Sequence, residues 1–273
     1  MKSLFESEKA GHTGTLDPLA TGLLPVCLGE ATKFSQNLLD SDKIYQAVVK
    51  LGETTLTGDA EGEILSSETV DFSRAQVEKA LSCLRGNVSQ IPPMYSALKH
   101  RGKPLYAYAR QGKQVERAPR VVYIETLQLD NINGQEIEIT IHCSKGTYIR
   151  VLAQDLGEIL GCGAYLKALR RTKVGPFRLN EAHTLRQLEA MNLEQRDARL
   201  LPVDSLLMSL PKILLDDENC RNFLCGNTVP QTLPQFSGMV RIYNTKQRLI
   251  GLGEITADGN IQPKRLLATN PPQ

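Results

Sequence analysis

The stretch VVYIETLQLDNINGQEIEITIHC, residues 121–143, contains the clearest indication of how this chain folds. Two strand candidates, Val121 to Leu129 and Glu136 to Cys143, lie on either side of Asn133-Gly134, a dipeptide typical of tight hairpin turns. We therefore expect the two strands to pair in antiparallel fashion.

The segments on both sides of this hairpin complete an α+β pattern. Ile44 to Leu51 alternates apolar and polar residues, as a half-buried strand does. Helices are expected over Glu30 to Leu39, Ser73 to Leu84 and Ile149 to Leu160, the last one ending at Gly161. The predicted fold class is α+β with a mixed, mainly antiparallel sheet.

A domain boundary is expected near Leu210 to Lys212, where helical periodicity stops. Short strands follow, including a candidate hairpin of Val240 to Tyr243 and Leu249 to Glu254. The sequence therefore predicts one domain over residues 1–208 and a small β-barrel over residues 209–273.

The composition is that of an ordinary folded protein, with 41% hydrophobic residues and a net charge of +2. The apolar runs are short and no signal sequence is evident, so we expect a cytoplasmic protein that does not enter a membrane. Six scattered cysteines and four histidines match no zinc spacing, and no nucleotide-binding loop is present. We expect neither a metal nor a cofactor.

Positive charge is concentrated between Lys99 and Arg120, where seven Lys or Arg residues face one acid, Glu116. Lysine and arginine neutralise phosphates whatever the base sequence, and the tyrosines between them either stack on unpaired bases or pack inward. An ordinary solvated face is the alternative. The one-signed cluster favours contact with RNA.

Asp17 lies in a glycine-rich loop, Gly11 to Gly22, and precedes Pro18. Because proline disfavours a helix at the preceding residue, the carboxylate sits on a turn or extended segment and is presented by the loop. The alternative is that Asp-Pro simply forms a turn.

A second candidate cluster, Lys145 to Arg150, lies between a predicted strand and a predicted helix. If the chain is extended there, Tyr148 and Arg150 point to one side. An arginine that pairs with a carboxylate keeps it ionised and oriented. An exposed arginine at a helix end is the alternative.

Together, four motifs closely resemble the TruB-type tRNA pseudouridine-55 synthases of bacteria. They occur in the family's order and span nearly the whole chain: GHTGTLDPLATGLLP (residues 11–25), SDKIY (41–45), PPMYSALK (92–99) and KGTYIR (145–150).

The resemblance implies roles for individual residues. It makes Asp17 the catalytic aspartate, Tyr45 the aromatic ring that stacks on the target uracil, and Arg150 the partner of Asp17. It also makes Tyr148 a residue that lines the same pocket and Leu169 its apolar wall. Without the resemblance, Tyr45 would be an ordinary strand residue and Leu169 a core leucine.

The resemblance also implies how RNA is held. His12 would hold the loop opened by base flipping, and a mobile insertion over about residues 92–120, with Lys99 and Arg110, would close on the RNA. Three further segments resemble the PUA-type RNA-binding module and assign it to residues 209–273: Gly226 to Pro230, Gly238 to Arg241 and Ile250 to Glu254.

The function implied is the isomerisation of uridine to pseudouridine in the T-arm loop of tRNA, without cofactor, by a monomer that needs no obligate protein partner. Two alternatives remain. A non-catalytic RNA-binding or tRNA-folding protein would use the same basic surface. A glycosidase would require two carboxylates at one bond, whereas the loop around Asp17 has one.

One feature departs from the family pattern. Members begin with a strand and an Asp-Lys-Pro-x-Gly motif upstream of the aspartate loop, and nothing of that kind precedes Gly11. We therefore expect the chain to lack this N-terminal segment. Loss of a strand would expose neighbouring backbone donors and acceptors and remove apolar contacts, which bears on both folding stability and activity.

Overall fold

The computed structural model describes residues 1–230 and 237–267. By compactness the chain divides into two units. The sheet unit contains residues 15–24 and 40–182, and the second unit contains residues 1–14, 25–39 and 183–273. The predicted domains, 1–208 and 209–273, follow the chain, whereas these units combine separate segments; the boundary after residue 208 stays a prediction.

Most strands of the described residues are short, and the four longest lie in the sheet unit. In chain order they are β1 (Ala10–His12), β2 (Thr21–Gly22), β3 (Val26–Leu28), β4 (Lys43–Leu51), β5 (Glu53–Thr55), β6 (Ile64–Ser67), β7 (Gly86–Gln90), β8 (Lys99–His100), β9 (Lys103–Pro104), β10 (Arg120–Asn133), β11 (Glu136–Cys143), β12 (Ala164–Val174), β13 (Phe177–Arg178), β14 (Lys212–Leu214), β15 (Val229–Pro230), β16 (Gly238–Tyr243), β17 (Leu249–Ile255) and β18 (Asn260–Leu266).

The helices are also short. The α-helices are α1 (Ser35–Leu39), α2 (Arg74–Cys83), α3 (Leu105–Ala109), α4 (Ile149–Leu160), α5 (Leu185–Glu189), α6 (Leu193–Asp197) and α7 (Asp217–Leu224), and 3₁₀ turns cover Gly29–Phe34, Leu179–Glu181 and Val203–Leu207. Within the described residues, no helix is both long enough and apolar enough to cross a membrane.

A seven-stranded sheet forms the centre of the sheet unit. Its strand order is β13-β12-β4-β11-β10-β7, and β2 pairs separately with β12. Only the β2–β12 pairing is parallel. Alternate residues of β4 and β11 are fully buried, and they pack with the apolar faces of α2 and α4 in one core. The predicted α+β class with a mainly antiparallel sheet is confirmed.

Local sequence signals produce several of these elements as predicted. Strand β11 and helix α4 have the expected ends, and Gly161 ends α4 in the left-handed conformation with φ +74°. Ser73 caps α2 in a reciprocal arrangement with Gln76. Such caps satisfy backbone N–H groups that have no partner inside the helix.

The helix expected over Glu30 to Leu39 is correct in place but wrong in type for its first half, which is a 3₁₀ turn. The hydroxyl of Thr32 donates to the Gly29 carbonyl at 2.7 Å, and that of Ser35 donates to the Thr32 carbonyl at 3.0 Å. These bonds span three residues and therefore suit the tighter helix.

The second unit contains a five-stranded sheet in the order β14-β16-β17-β18-β15. The expected hairpin is present as β16 and β17, which pair in antiparallel fashion. Phe223 of α7 is fully buried against the sheet's apolar residues. This small β-rich module agrees with the PUA-like fold expected for the C-terminal part of the chain.

Candidate active site

The loop from Thr15 to Leu24 is tied to strand β12 at its C-terminal end. Strand β2 pairs with β12 in parallel, and the Leu23 N–H donates to the Arg171 carbonyl at 2.8 Å. Gly22 has φ +101°, and a Cβ atom there would lie 2.2 Å from the Arg171 carbonyl oxygen. Glycine alone tolerates both this conformation and this approach, so Gly22 allows the loop to pack directly against β12.

Asp17 begins a tight turn in the same loop, since the Ala20 N–H donates to the Asp17 carbonyl at 2.9 Å. The Asp-Pro pair thus forms the turn that its local sequence predicts. The Asp17 side chain is nevertheless 32% exposed. A turn and a presented carboxylate are therefore compatible at this residue.

Arg150 brings three loops together through its guanidinium group. Its Nε donates to Asp17 Oδ2 at 2.9 Å, its Nη1 to the Thr57 carbonyl at 3.1 Å and its Nη2 to the Tyr95 carbonyl at 2.8 Å. The side chain is only 4% exposed. Each guanidinium nitrogen has an acceptor, so the charge is paired and the fork has a defined orientation.

Asp59 is a second carboxylate beside Arg150 that the sequence reasoning missed. Its Oδ2 lies 3.5 Å from Arg150 Nε, and its side chain is 4% exposed. Its Oδ1 accepts from the Thr57 hydroxyl and from the Glu61 N–H. The sequence did offer one signal, because Asp59 directly follows Gly58 and a glycine often marks a turn that presents the next side chain, as the Asp17 loop does. The structure confirms the turn, with φ +73° at Gly58.

Tyr45 and Leu169 lie on one face of the central sheet. Tyr45 of β4 is opposite Arg171 of β12, and Ala47 is opposite Leu169. Since residues two apart on a strand share a face, all four side chains are neighbours. The Arg171 Nε donates to the Leu23 carbonyl at 2.8 Å, so this buried arginine, also missed from sequence, connects the Asp17 loop to that face.

The ionisation of the Tyr45 phenol is affected by its burial and by nearby charged groups. Burial raises the pKa of its phenol, the positive charge of Arg171 opposes that change, and the Asp17 carboxylate raises the pKa further. Asp17 and Arg171 are therefore both near enough to Tyr45 to affect its ionisation. The phenol is held neutral at ordinary pH.

The extended conformation that would point Tyr148 and Arg150 to one side is not present, because the predicted helix over Ile149 to Leu160 already includes Arg150. Tyr148 is the last extended residue, with φ −96° and ψ 110°, and caps helix α4, whereas Arg150 already lies in its first turn. Arg150 is buried, so the alternative of an exposed arginine at a helix end is wrong as well. The Tyr148 ring lies against Arg120, whose Cζ is 4.7 Å from the ring centroid.

Three predicted substrate-binding residues are exposed. Lys99 is exposed on β8, and Arg110 is exposed after α3 with its guanidinium 5.5 Å from the Tyr106 ring. His12 is exposed on β1, which belongs to the second unit. The roles expected for these three residues stay predictions.

One group in the described part of the chain has the atoms to ligate a metal ion. Ligand atoms of Asp42, Glu125 and His142 lie within 4.8 Å of one another. However, Glu125 already pairs with His142 Nδ1 at 2.8 Å, and both acids are exposed. Exposed groups of this kind are common without an ion, so the geometry alone indicates no metal site.

Sequence profiles of three domains together match nearly the whole chain. Residues 2–149 match the N-terminal domain of the TruB family pseudouridylate synthases, residues 150–208 match the C-terminal domain of tRNA pseudouridylate synthase B, and residues 211–267 match the C-terminal domain of pseudouridine synthase II TruB. Asp17 lies in the first of these regions and Arg150 begins the second. The fold is thus that of a pseudouridine synthase, an isomerase that acts on RNA.

Individual relatives support the same class over most of their length. The tRNA pseudouridine synthase B of Nitrosospira multiformis is 51% identical, with 97% of this chain and 88% of the relative covered. That of Chromobacterium violaceum is 53% identical, with 97% and 87% covered. A crystal structure of a Cbf5-Nop10-Gar1 complex matches with a TM-score of 0.73 and 25% identity, over 97% of this chain and 78% of the matched one. The chain belongs to the TruB family of pseudouridylate synthases.

Proposed function

We propose that this protein isomerises uridine to pseudouridine in the T-arm loop of tRNA, and that Asp17 is its catalytic residue. The observation that carries the assignment is the 2.9 Å contact between Arg150 Nε and Asp17 Oδ2, on a carboxylate that stays one-third exposed. A substrate can reach this carboxylate while a buried cation orients it. The relatives named tRNA pseudouridine synthase B, which match over most of their length, support the choice of tRNA as substrate.

The reaction is an isomerisation and needs no external oxidant or reductant. The bond between N1 of uracil and C1′ of ribose breaks, the base turns within the site, and C5 bonds to C1′. The proton lost from C5 is balanced by one gained at N1. Asp17 performs one of three steps: attack at C6, attack at C1′, or removal of the C2′ proton.

The residues around Asp17 have complementary tasks in this proposal. Arg150 orients the carboxylate, and Tyr45 stacks on the uracil as a neutral phenol. Leu169 forms the apolar wall of the base site, and Tyr148 lines it. The shared sheet face of Tyr45 and Leu169 supports this arrangement, because the loop that carries Asp17 ends in β2, which pairs with the strand of Leu169.

A base in a folded loop is stacked, and extruding it costs on the order of a few kcal/mol. Phosphate contacts by the basic insertion, with Lys99 and Arg110, and stacking on Tyr45 offset that cost. His12 holds the opened loop of the RNA, and the PUA-like module of residues 209–273 contacts the rest of the T-arm. We further propose that the protein acts as a cytoplasmic monomer without an obligate protein partner.

The non-catalytic alternative is less well supported, since a pure RNA-binding surface does not require a buried arginine aimed at a partly exposed carboxylate. The glycosidase alternative needs two carboxylates that reach one bond. Asp59 does not meet that need, because its side chain is buried and both of its oxygens face protein groups.

The direct test is Asp17→Asn, which keeps the shape of the side chain and removes its charge. We expect the variant to bind an unmodified tRNA transcript with a dissociation constant within about twofold of the wild type and to form no pseudouridine. Product is measured by nucleoside analysis of the digested transcript. Appreciable product from the variant would refute the role of Asp17, and no product from the wild type would favour the non-catalytic alternative.

A further inference from the structure

Gln90 is a buried amide outside the groups described so far. It is the last residue of β7, the strand at one edge of the seven-stranded sheet, and only 1% of it is exposed. Its side chain makes two hydrogen bonds to one residue: Nε2 donates to the Tyr148 carbonyl at 3.2 Å, and Oε1 accepts from the Tyr148 N–H at 3.0 Å. This pair of bonds is the one that a neighbouring strand residue would make.

The contact with Gln90 matters because Tyr148 lies at the start of helix α4. Tyr148 caps α4 without a side-chain cap of its own, and its carbonyl also accepts from Leu152 N–H at 3.1 Å, the first turn of the helix. Its N–H has no other partner among the described residues. The Gln90 amide therefore holds the backbone at the point where the extended chain becomes α4, two residues before Arg150.

A second contact restrains the same residue from the neighbouring strand. Arg120 is opposite Gln90 in the β7–β10 pairing, donates to the Gly146 carbonyl and lies 4.7 Å from the centre of the Tyr148 ring. Gln90 thus fixes the backbone of Tyr148, and Arg120 lies against its ring. The basic insertion begins directly after Gln90 and ends at Arg120.

We propose that Gln90 is a positioning residue for the reaction: by holding Tyr148 through both backbone groups, it sets the first turn of α4 and so keeps Arg150 aimed at Asp17. The inference rests on the proposed function of the site. A buried amide is costly unless both of its polar atoms are paired, and here both are used on a single residue. Because a misplacement of about 1 Å in a reacting group can cost on the order of a hundredfold in rate, this restraint bears on turnover.

Two variants and one control test the proposal. Gln90→Leu removes both hydrogen bonds at similar volume, and Gln90→Glu keeps the acceptor for the Tyr148 N–H while replacing the donor with an oxygen. Gln128→Leu is the matched control, because Gln128 is exposed on β10 of the same sheet. Each protein is assayed with an unmodified tRNA transcript for kcat and for tRNA affinity, after its thermal unfolding shows that it is folded.

We expect both Gln90 variants to lose about tenfold to a hundredfold in kcat with tRNA affinity within about twofold of the wild type, and the control to be unchanged. Kinetics within about twofold of the wild type for folded Gln90→Leu would overturn the proposal. Parallel losses of stability, affinity and kcat in both variants would also overturn it, because they would indicate a merely structural role.

A crystal structure of Gln90→Leu supplies a measurement that does not depend on activity. The proposal requires the contact between Arg150 Nε and Asp17 Oδ2, 2.9 Å in the native protein, to lengthen or break. An unchanged contact would contradict it. If the wild type formed no pseudouridine, the proposed function would fail, while the Arg150 geometry in this variant would still decide the positioning role of Gln90.

Discussion

At the scale of single residues, Arg150 is the most informative side chain. It places a buried cation in the first turn of a helix, where the helix dipole disfavours positive charge. The carboxylates of Asp17 and Asp59, at 2.9 and 3.5 Å, offset this cost. A buried ion pair is weak evidence for a stability role, so the arrangement supports the role proposed for Asp17.

Gly22 provides a prediction at the residue scale. Gly22→Ala adds a Cβ atom 2.2 Å from the Arg171 carbonyl oxygen at φ +101°, so the loop that carries Asp17 must move away from β12. We expect a loss of about 2–4 kcal/mol in the free energy of unfolding together with a large loss of kcat.

The matched control is Gly161→Ala at the end of α4. This glycine also has positive φ, but a Cβ atom added there would meet open space. The variant should lose only about 1–2 kcal/mol in the free energy of unfolding and keep its activity. Chemical denaturation measures both variants, and equal losses would show that close approach to β12 does not matter.

At the scale of elements, helix α4 connects the core to the site. Its buried residues pack against the sheet, its first turn carries Arg150, and Asp155 lies half-buried in its second turn. Burial and then the charge of Glu158 raise the pKa of Asp155 from 3.8 to about 6. The folded state therefore binds more protons than the unfolded chain between about pH 4 and pH 6.

A pH-dependent stability follows from this shift. As the pH rises through this window the folded protein loses stability, because Asp155 must ionise while half-buried. Asp155→Asn removes that loss. We therefore expect the variant to be more stable than the wild type by about 1 kcal/mol at pH 7, a value that allows for solvent screening of the charge. Near pH 4 the two proteins should be equally stable.

Thermal unfolding of both proteins from about pH 4 to about pH 8 measures the difference. Asp71→Asn serves as the control, because Asp71 is exposed in the loop before α2. A stability difference for Asp155→Asn that stays constant over this range would contradict the raised pKa. A difference that grows with falling pH would give the shift the opposite sign.

At the scale of the whole molecule, positive charge is concentrated in one segment of the chain. The net charge is only +2, yet the Lys and Arg residues from Lys99 to Lys113 are all exposed. Some of these cations lie on tyrosine rings, as Lys103 does on Tyr108 at 5.4 Å. The tyrosines of the insertion therefore pack partly against its own cations, and the remaining charge is available to phosphates.

The salt dependence of tRNA binding tests this distribution. Replacing both Lys99 and Lys113 by Gln should weaken binding and reduce the slope of log affinity against log salt by up to about 0.9 for each phosphate that is no longer neutralised. Arg74→Gln with Lys79→Gln on α2 is the matched control, because both residues are exposed outside the insertion. Equal slopes for the two double variants would argue against phosphate binding by the insertion.

Periodicity and turn chemistry were sufficient for the elements whose causes are local. The Asn133-Gly134 hairpin, the ends of α4 and the cap of α2 all depend on residues within a few positions of one another. Sequence reasoning failed where the outcome depends on distant partners. It missed Asp59, Arg171 and Gln90 altogether.

The amino-acid sequence by itself determined the class of fold, several of the longer strands and helices, and the family, because alternation, caps and motifs depend on neighbouring residues. Apart from the Arg150–Asp17 pair, which the resemblance implied, only the tertiary structure decided which side chains meet. Gln90 reaches Tyr148 across 58 positions, and Asp59 lies 3.5 Å from Arg150. Such contacts exist only after the sheet has brought remote loops together, because a hydrogen bond requires its two atoms within about 3 Å wherever they lie in the chain.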